Sequence, residues 1–508
     1  MRYHKNVPGY YVENFGCRAT QADGAALERQ FEERGLSRAS AAAQAELVVL
    51  NTCTVTAAAD QDARAAIRRV QRQNPEAKIV VTGCYAQRAP EEIAALPGVT
   101  YVIGNSHKHK LAELVLPGII EPQAVEVSEP SNGGNFLPIA TLTENRELRT
   151  ENWVFVSDIF AHTELLAAPV FDAAGSHESE RTRPNLKVQD GCDNRCSFCV
   201  IPYVRGQSRS LPLDQIIREV NTLVDAGYRE VVISGINLGR WGRDLASSEP
   251  EARSPNPVFE DLIFTILAES ALEKLRISSV EPMDWSDELI ALVAESPRIA
   301  KHAHVPLQSG SDAVLRRMHR KYRPWHYREK IEKIRAAMPT AAIGADVMVG
   351  FPGETDAEFE STRSLIEDLP FTYLHVFTYS ARPGTPAASM PNQVPVHVAR
   401  ERNRILRDLA EEKKQSFMRS FVEKTIEAIT LRSCGASALA REASGTDICG
   451  ADVAARGSST LAFTEALTDN YLKLFLRGTH SPNRWLRVRV EDVVGGSLHA
   501  RPIDSSAI

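Results

Sequence analysis

Gly191-Cys192-Asp193-Asn194-Arg195-Cys196-Ser197-Phe198-Cys199 sets three cysteines at spacings of four and three residues. With 8 cysteines in 508 residues, chance would place such a triple about 0.002 times per chain, so coincidence is a poor account of it. Three thiolates on one tight loop can each bind a different iron of a cubane cluster. A [4Fe–4S] cluster needs four iron ligands, so this loop leaves one iron open for chemistry. A three-cysteine zinc site is the competing reading. Zinc knuckles, however, pair short spacings with a fourth Cys or His close by, and none stands near this loop.

The composition around this loop is that of an ordinary globular protein: 43% apolar and 24% charged residues. The length predicts about three domains. No apolar run approaches the roughly 20 residues of a membrane helix, and Met1-Arg-Tyr-His-Lys-Asn has no hydrophobic signal segment. The expectation is therefore a cytoplasmic protein without a membrane partner, whose cysteines stay reduced. A net charge of −6 argues against a chain that coats nucleic acid with its whole surface, so any RNA contact must come from local basic patches.

Residues 1–118 alternate strand and helix. Tyr10–Phe15 reads as a strand, followed by a helix over Ala22–Arg34 with Leu27 and Phe31 on one face. Leu47-Val48-Val49-Leu50 is a continuous apolar run, typical of a buried parallel strand. A helix over Ala57–Gln73 stops at Asn74-Pro75. Lys78–Val81 is the next strand, and a short strand near Tyr101–Ile103 and a helix over Lys110–Val115 close the unit. This pattern predicts a small open α/β sheet, and such sheets bind ligands at the carboxyl ends of their strands. Cys17, Cys53 and Cys84 all fall at that end. Three buried free thiols are the bland reading; the shared position favours a second metal cluster.

Residues 119–184 mix Pro, Ser, Asn, Gly and Glu without periodicity and read as a linker with an insertion, with a strand somewhere in Val154–Phe160. Over residues 185–422, six apolar runs recur with helices between them: Leu186–Val188, Val231–Ser234, Leu275–Ser278, His304–Leu307, Ala345–Val349 and Leu374–Phe377. Repeated β–α units of this size predict a parallel sheet curled into an incomplete (β/α)6 barrel. The cysteine loop follows the first strand, at the face where barrel active sites lie. Loops after later strands, at Ser234–Gly239, Ser278–Pro282, Pro306–Ser311 and Val349–Thr355, bring glycines for close approach and Ser and Gln for hydrogen bonds.

Arg316 to Arg328 holds six Lys/Arg, no acid and three interleaved aromatics, the composition of an RNA-facing surface. Arg316, Arg320, Lys321 and Arg323 are its candidate contacts. The helix bearing Arg64, Arg68, Arg69 and Arg72 is a weaker candidate. In residues 423–508, Thr425–Leu431, Tyr471–Arg477 and Trp485–Val490 read as strands of a small β-barrel. Six basic residues against two acidic between Asn470 and Arg501 make Lys473, Arg487 and Arg489 further RNA candidates. Cys434 and Cys449 fit no ligand spacing and read as free thiols.

The Cys192/Cys196/Cys199 spacing, with an aromatic residue, Phe198, before the last cysteine, resembles the radical S-adenosylmethionine (SAM) enzymes. Phe15-Gly16-Cys17-Arg18, Asn51-Thr52-Cys53-Thr54-Val55 and Thr82-Gly83-Cys84 resemble the N-terminal domain of the methylthiotransferases. The wording that continues from them, down to Gly104-Asn105-Ser106-His107-Lys108, is similar to the branch that acts on threonylcarbamoyladenosine in tRNA. The resemblance covers most of residues 8–420, and the tail resembles the RNA-binding TRAM domain.

The resemblance implies two [4Fe–4S] clusters, an auxiliary one on Cys17, Cys53 and Cys84 and a SAM-cleaving one on Cys192, Cys196 and Cys199. It implies SAM near Phe198, Gly235, Ser279 and Gln308. It also implies a tRNA anticodon stem-loop methylthiolated at C2 of the adenosine at position 37, an electron donor such as flavodoxin or ferredoxin, and a sulfur source. No general base is identifiable. Sibling branches act on isopentenyl-adenosine in tRNA or on an aspartate of a ribosomal protein; the basic patches count against the latter. An iron–sulfur carrier or RNA-binding protein without catalysis is the reading from another class, and the loops at the barrel mouth count against it.

Overall fold

The computed structural model describes residues 8–116, 153–162, 165–166, 182–245, 256–431 and 463–503. The predicted thiols Cys434 and Cys449, most of the 119–184 linker and the 433–458 stretch lie outside the described residues. The chain divides into two compact units, Met1–Leu166 with Tyr203–Arg205, and Ala167–Pro202 with Gly206–Ile508.

The first unit is built on a sheet of strands β1 (Gly9–Asn14), β2 (Ser37–Arg38), β3 (Leu47–Thr52), β4 (Lys78–Gly83), β5 (Val99–Gly104) and β6 (Trp153–Phe155). Among the described residues their order is β2-β1-β3-β4-β5-β6, and every pairing is parallel. All six residues of β3 are buried, because helices cover both faces and strand side chains alternate between them. Val48 and Leu50 pack with Ile67 and Val70 of helix Ala57–Gln73. Leu47 and Val49 pack on the other face with Leu27 and Phe31 of helix Arg18–Glu33. The strand sought in Val154–Phe160 is β6, which ends at Phe155 and adds an edge to this sheet beside β5; Ile159–Ala161 is a 3-10 turn.

In the second unit, β7 (Asn185–Asp190), β9 (Glu230–Gly235), β10 (Lys274–Ile277), β11 (His302–His304), β12 (Ala342–Val349) and β13 (Tyr373–Thr378) run in sequence order. Ladders join β10-β9-β7 and β11-β12-β13, and the parallel bridges Leu275–Ile299 and Ser279–His304 connect the two groups. The short β8 (Arg209–Ser210) pairs antiparallel to β7 at one edge. This is the incomplete (β/α)6 barrel read from the sequence, with connecting helices that include Leu213–Asp225, Phe259–Glu269, Asp287–Glu295 and Asp356–Asp368.

One stretch departs from that reading. The run His304–Leu307 is strand only up to His304; Val305 and Leu307 still donate to the Gly344 and Asp346 carbonyls of β12, and Gln308 turns the chain at φ +63. The basic stretch joins the helices Asp312–Arg317 and Pro324–Ala337 through a non-helical segment, 318–323.

Strands β14 (Thr425–Thr430), β15 (Phe463–Thr468), β16 (Lys473–Arg477), β17 (Trp485–Val494) and β18 (Ser497–Pro502) close a small barrel in the order β14-β15-β16-β18-β17. Alternate residues of β16 and β17, among them Leu474, Leu476, Val488 and Val490, fill its core. The same alternation turns Lys473, Arg487 and Arg489 outward.

Candidate functional site

In the first unit the three cysteines sit where the sheet register brings them together. Asn14 pairs with Asn51, and Thr52 pairs with Gly83. Cys53 and Cys84 therefore leave neighbouring strands side by side, and Cys17 follows β1 as the N-cap residue of Arg18–Glu33, where the helix dipole favours a thiolate. Cys53 is in electrostatic reach of both Cys84 and Cys17. Burial, with Cys84 and Cys17 adding to it, pushes its thiol up to about 12.

Gly16 makes room for this approach. It holds φ +97, and a Cβ there would stand 2.5 Å from the Cβ of Cys53 and 2.9 Å from its Sγ. Polar groups gather behind the thiols. Asn105 Nδ2 donates to Cys84 Sγ at 3.6 Å. Asp23 accepts from Lys108 Nζ and from Arg205 Nη2, each at 3.0 Å, with all three side chains buried. Both cations are close enough to act on the cysteines: Arg205 on Cys53 and Lys108 on Cys84.

In the second unit the loop Cys192–Cys199 leaves the end of β7. Gly191 takes φ +72, and a Cβ on it would strike the Gln207 carbonyl oxygen at 1.8 Å. Cys192, Cys196 and Cys199 lie within electrostatic reach of one another. Burial pushes Cys192 up to about 11 and Cys199 up to about 12. In both sets a backbone N–H two residues on is aimed at a sulfur, Val55 at Cys53, Asn194 at Cys192 and Ile201 at Cys199. Asn237 Nδ2, after β9, donates to Cys192 Sγ at 3.7 Å. Each set is thus a group of soft sulfur donors with N–H groups aimed at its buried members. That chemistry fits iron–sulfur cubanes, since the thiolate is the form that binds iron.

The segment after helix Asp312–Arg317 clasps this loop. Ser197 N donates to the Met318 carbonyl at 3.1 Å and Ser197 Oγ to that of Arg317 at 2.7 Å. Arg320 Nη1 donates to Cys196 Sγ at 3.3 Å, and its other arm pairs with Glu281. Arg320, expected at an RNA-facing surface, is instead buried. Arg323 pairs with Asp312 at 3.2 Å. Arg316 and Lys321 are the exposed cations of the predicted set here. Of the acids that neutralise the stretch, Asp312 stands just before it, while Glu281 and Glu358 come from elsewhere in the fold, where its composition could not reveal them.

The residues predicted near SAM gather around the loop end of the barrel. Phe198 packs with Val314, Met318 and Phe351. Gly235 ends β9, with no room for a Cβ, which would meet Gln189 at 2.9 Å. Ser279 bridges to His304, and Gln308 to Val347. A shallow pocket open to solvent is lined by Asn194, Cys196, Arg240, Glu281, Arg320 and Tyr322. Sequence reasoning passed over a further polar group: Asp346 of β12 accepts from His375 Nδ1 at 3.2 Å and stands 3.4 Å from His304 Nε2. Three adjacent strands contribute one residue each, a pattern invisible without the register.

Comparison with known proteins agrees with this architecture. A family model described as the radical SAM superfamily matches residues 186–366, and one described as uncharacterized protein family UPF0004 matches residues 9–104. The chain is 34% identical over 465 residues to the threonylcarbamoyladenosine tRNA methylthiotransferase MtaB of Bacillus subtilis, covering 91% of this chain and 89% of that one. It is 35% identical over 423 residues to the protein of the same name from Aquifex aeolicus, covering 82% of this chain and 92% of that one. It is also 33% identical over 425 residues to the tRNA-2-methylthio-N(6)-dimethylallyladenosine synthase of Novosphingobium aromaticivorans, covering 83% of this chain and 86% of that one.

Proposed function

The chain belongs to the radical SAM methylthiotransferase family, a family of transferases that use SAM and [4Fe–4S] clusters, and from that premise we propose that it methylthiolates C2 of N6-threonylcarbamoyladenosine at position 37 of tRNA. The observation that carries the substrate is the 34% identity, across 91% of the chain, to a relative named for that reaction. Two clusters are part of the proposal. Cys17, Cys53 and Cys84 hold the auxiliary one, and Cys192, Cys196 and Cys199 hold the one at which SAM binds. When bound, these groups supply the electron that cleaves SAM and the site at which the transferred sulfur is held, a radical route that an unactivated aromatic C–H requires.

The chain's own residues then bind and orient. Phe198, Gly235, Ser279 and Gln308 line the SAM position. Gly235 lets the backbone approach closely, and Ser279 and Gln308 offer hydrogen bonds. Asn237 and Asn105 donate to the sulfurs of Cys192 and Cys84, and would support thiolate charge there once a cluster is bound. For the RNA, exposed Lys473, Arg487 and Arg489 on the small barrel and Arg316 and Lys321 near the loop supply cations for phosphate. The reaction further draws on an electron donor and a sulfur source, and takes place in the cytoplasm, where tRNA is modified. Among the described residues no helix is long and apolar enough to cross a membrane.

Mass spectrometry of tRNA nucleosides from a strain lacking the gene tests this reading. Loss of the 2-methylthio form of threonylcarbamoyladenosine is expected. Loss of the isopentenyl counterpart instead would move the chain to the branch of the Novosphingobium relative. Unchanged tRNA with an altered ribosomal protein mass would move it to the protein-modifying branch.

A further inference from the structure

Arg320 has the wrong surroundings for a phosphate contact. It is 7% exposed, its guanidinium lies over the Tyr322 ring at 4.9 Å, and Nε donates to the Tyr322 hydroxyl at 3.3 Å. That hydroxyl is itself fixed, donating toward the carbonyls of Leu307 at 2.6 Å and Pro306 at 3.0 Å. One arm is held by Glu281 and the other points at Cys196 Sγ, 3.3 Å away. A rigid fork presented on three sides leaves little freedom for the cation, and an arginine stays charged under all working conditions.

We propose that Arg320 is a positioning residue that fixes the sulfur of Cys196 and, opposed by Glu281, sets the reduction potential of the cluster on this loop. The inference rests on the reading of Cys192, Cys196 and Cys199 as ligands. Its physical basis is that hydrogen bonds to cluster sulfurs and nearby net charge tune such potentials. Reduction adds a negative charge to the site. A desolvated cation one hydrogen bond from a ligand sulfur favours the reduced form, and a carboxylate just behind it works against that preference. The pair therefore acts as an adjustable charge: the arginine makes the cluster easier to reduce and the glutamate limits the gain. The peptide ties from Ser197 to Met318 and Arg317 hold the loop and the clasp in register, so the distance that matters is set by backbone.

The test uses the full chain with Cys17, Cys53 and Cys84 replaced by alanine, so that one cluster gives the signal. Its reduced fraction is followed by electron paramagnetic resonance against a poised potential. In that background Arg320→Gln is expected to lower the ratio of reduced to oxidised cluster at fixed potential about tenfold, a midpoint roughly 59 mV more negative for one electron. Glu281→Gln is expected to move the midpoint the other way, and Arg320→Lys to fall between Arg320→Gln and the parent. If Arg320→Gln assembles no cluster, Glu281→Gln and Arg320→Lys decide. Absence of any iron–sulfur signal in the parent triple variant would overturn the ligand reading itself. A cluster that assembles but keeps one midpoint in all variants, or shifts in the same direction for both charges, would overturn the role given to Arg320.

Discussion

Arg276 of β10 donates through Nε to the carboxylate of Glu230 at 2.6 Å, and neither side chain is more than 1% exposed. The guanidinium also reaches the main-chain carbonyl of Asp469 at 3.1 Å. The pair therefore ties two barrel strands to the turn after β15. Arg183 meets the same carboxylate at 3.3 Å.

Breaking this pair should be costly. Arg276→Ala leaves Glu230 facing Arg183 alone, and loss of one partner of a buried ion pair costs about 3–5 kcal/mol. Denaturant unfolding monitored by fluorescence checks it. Burial pushes Glu230 up, but the Arg276 and Arg183 cations outweigh it and hold the carboxyl below the usual range. A depressed carboxylate contributes stability that is present above its unfolded-state pKa and lost as pH falls through the folded one. The difference between wild type and Arg276→Ala should therefore be full at neutral pH and shrink on acidification below the ordinary glutamate range.

Gly16 and Gly35 separate strain from space. Both take a positive φ, +97 and +81, yet only at Gly16 would a Cβ meet other atoms, those of Cys53. Gly35→Ala should cost about 1 kcal/mol of backbone strain and leave iron content unchanged. Gly16→Ala should displace Cys53 and lose about four irons per chain, as read by iron and sulfide analysis after anaerobic reconstitution.

Gln308 holds φ +63 without being glycine, a conformation that other residues enter at a cost. Gln308→Gly should be at least as stable as wild type but bind SAM more weakly, because the side chain is gone. Gln308→Val should lose about 1–2 kcal/mol of stability, since a β-branched residue fits this region poorly. Thermal melts and equilibrium dialysis with SAM measure the two effects separately.

Arg487 and Arg489 are exposed on alternate positions of β17. Replacing both with alanine should weaken tRNA binding across sequences and reduce the slope of log affinity against log salt by about two. Filter binding over a salt series reads this. Arg320→Lys should leave the slope unchanged, because that side chain is buried.

The cysteine loop, the β–α alternation and the positions of Cys17, Cys53 and Cys84 at strand ends were legible in the chain. Each depends on local spacing: a period of two or of 3.6, or a thiol a fixed number of residues past a strand. The basic stretch at Arg316–Arg328 shows where such reading stops. Its composition is that of a polyanion surface, but Arg317, Arg320 and Arg323 are answered by Glu358, Glu281 and Asp312, two of them distant in sequence. β11 proper ends at His304, although Val305 and Leu307 beyond it still donate to the Gly344 and Asp346 carbonyls of β12.

Taken alone, the order of residues determined which atoms could hold metal and which periodicities had to become sheet and helix, because donor chemistry and backbone geometry act over a few residues. Folding in three dimensions decided the neighbours: that Asn237 and Arg320 address the sulfurs of Cys192 and Cys196, and that His304, Asp346 and His375 meet across three strands. Charge and hydrogen bonding act through space over a few ångströms, and only the register of strands and the closure of loops set those distances.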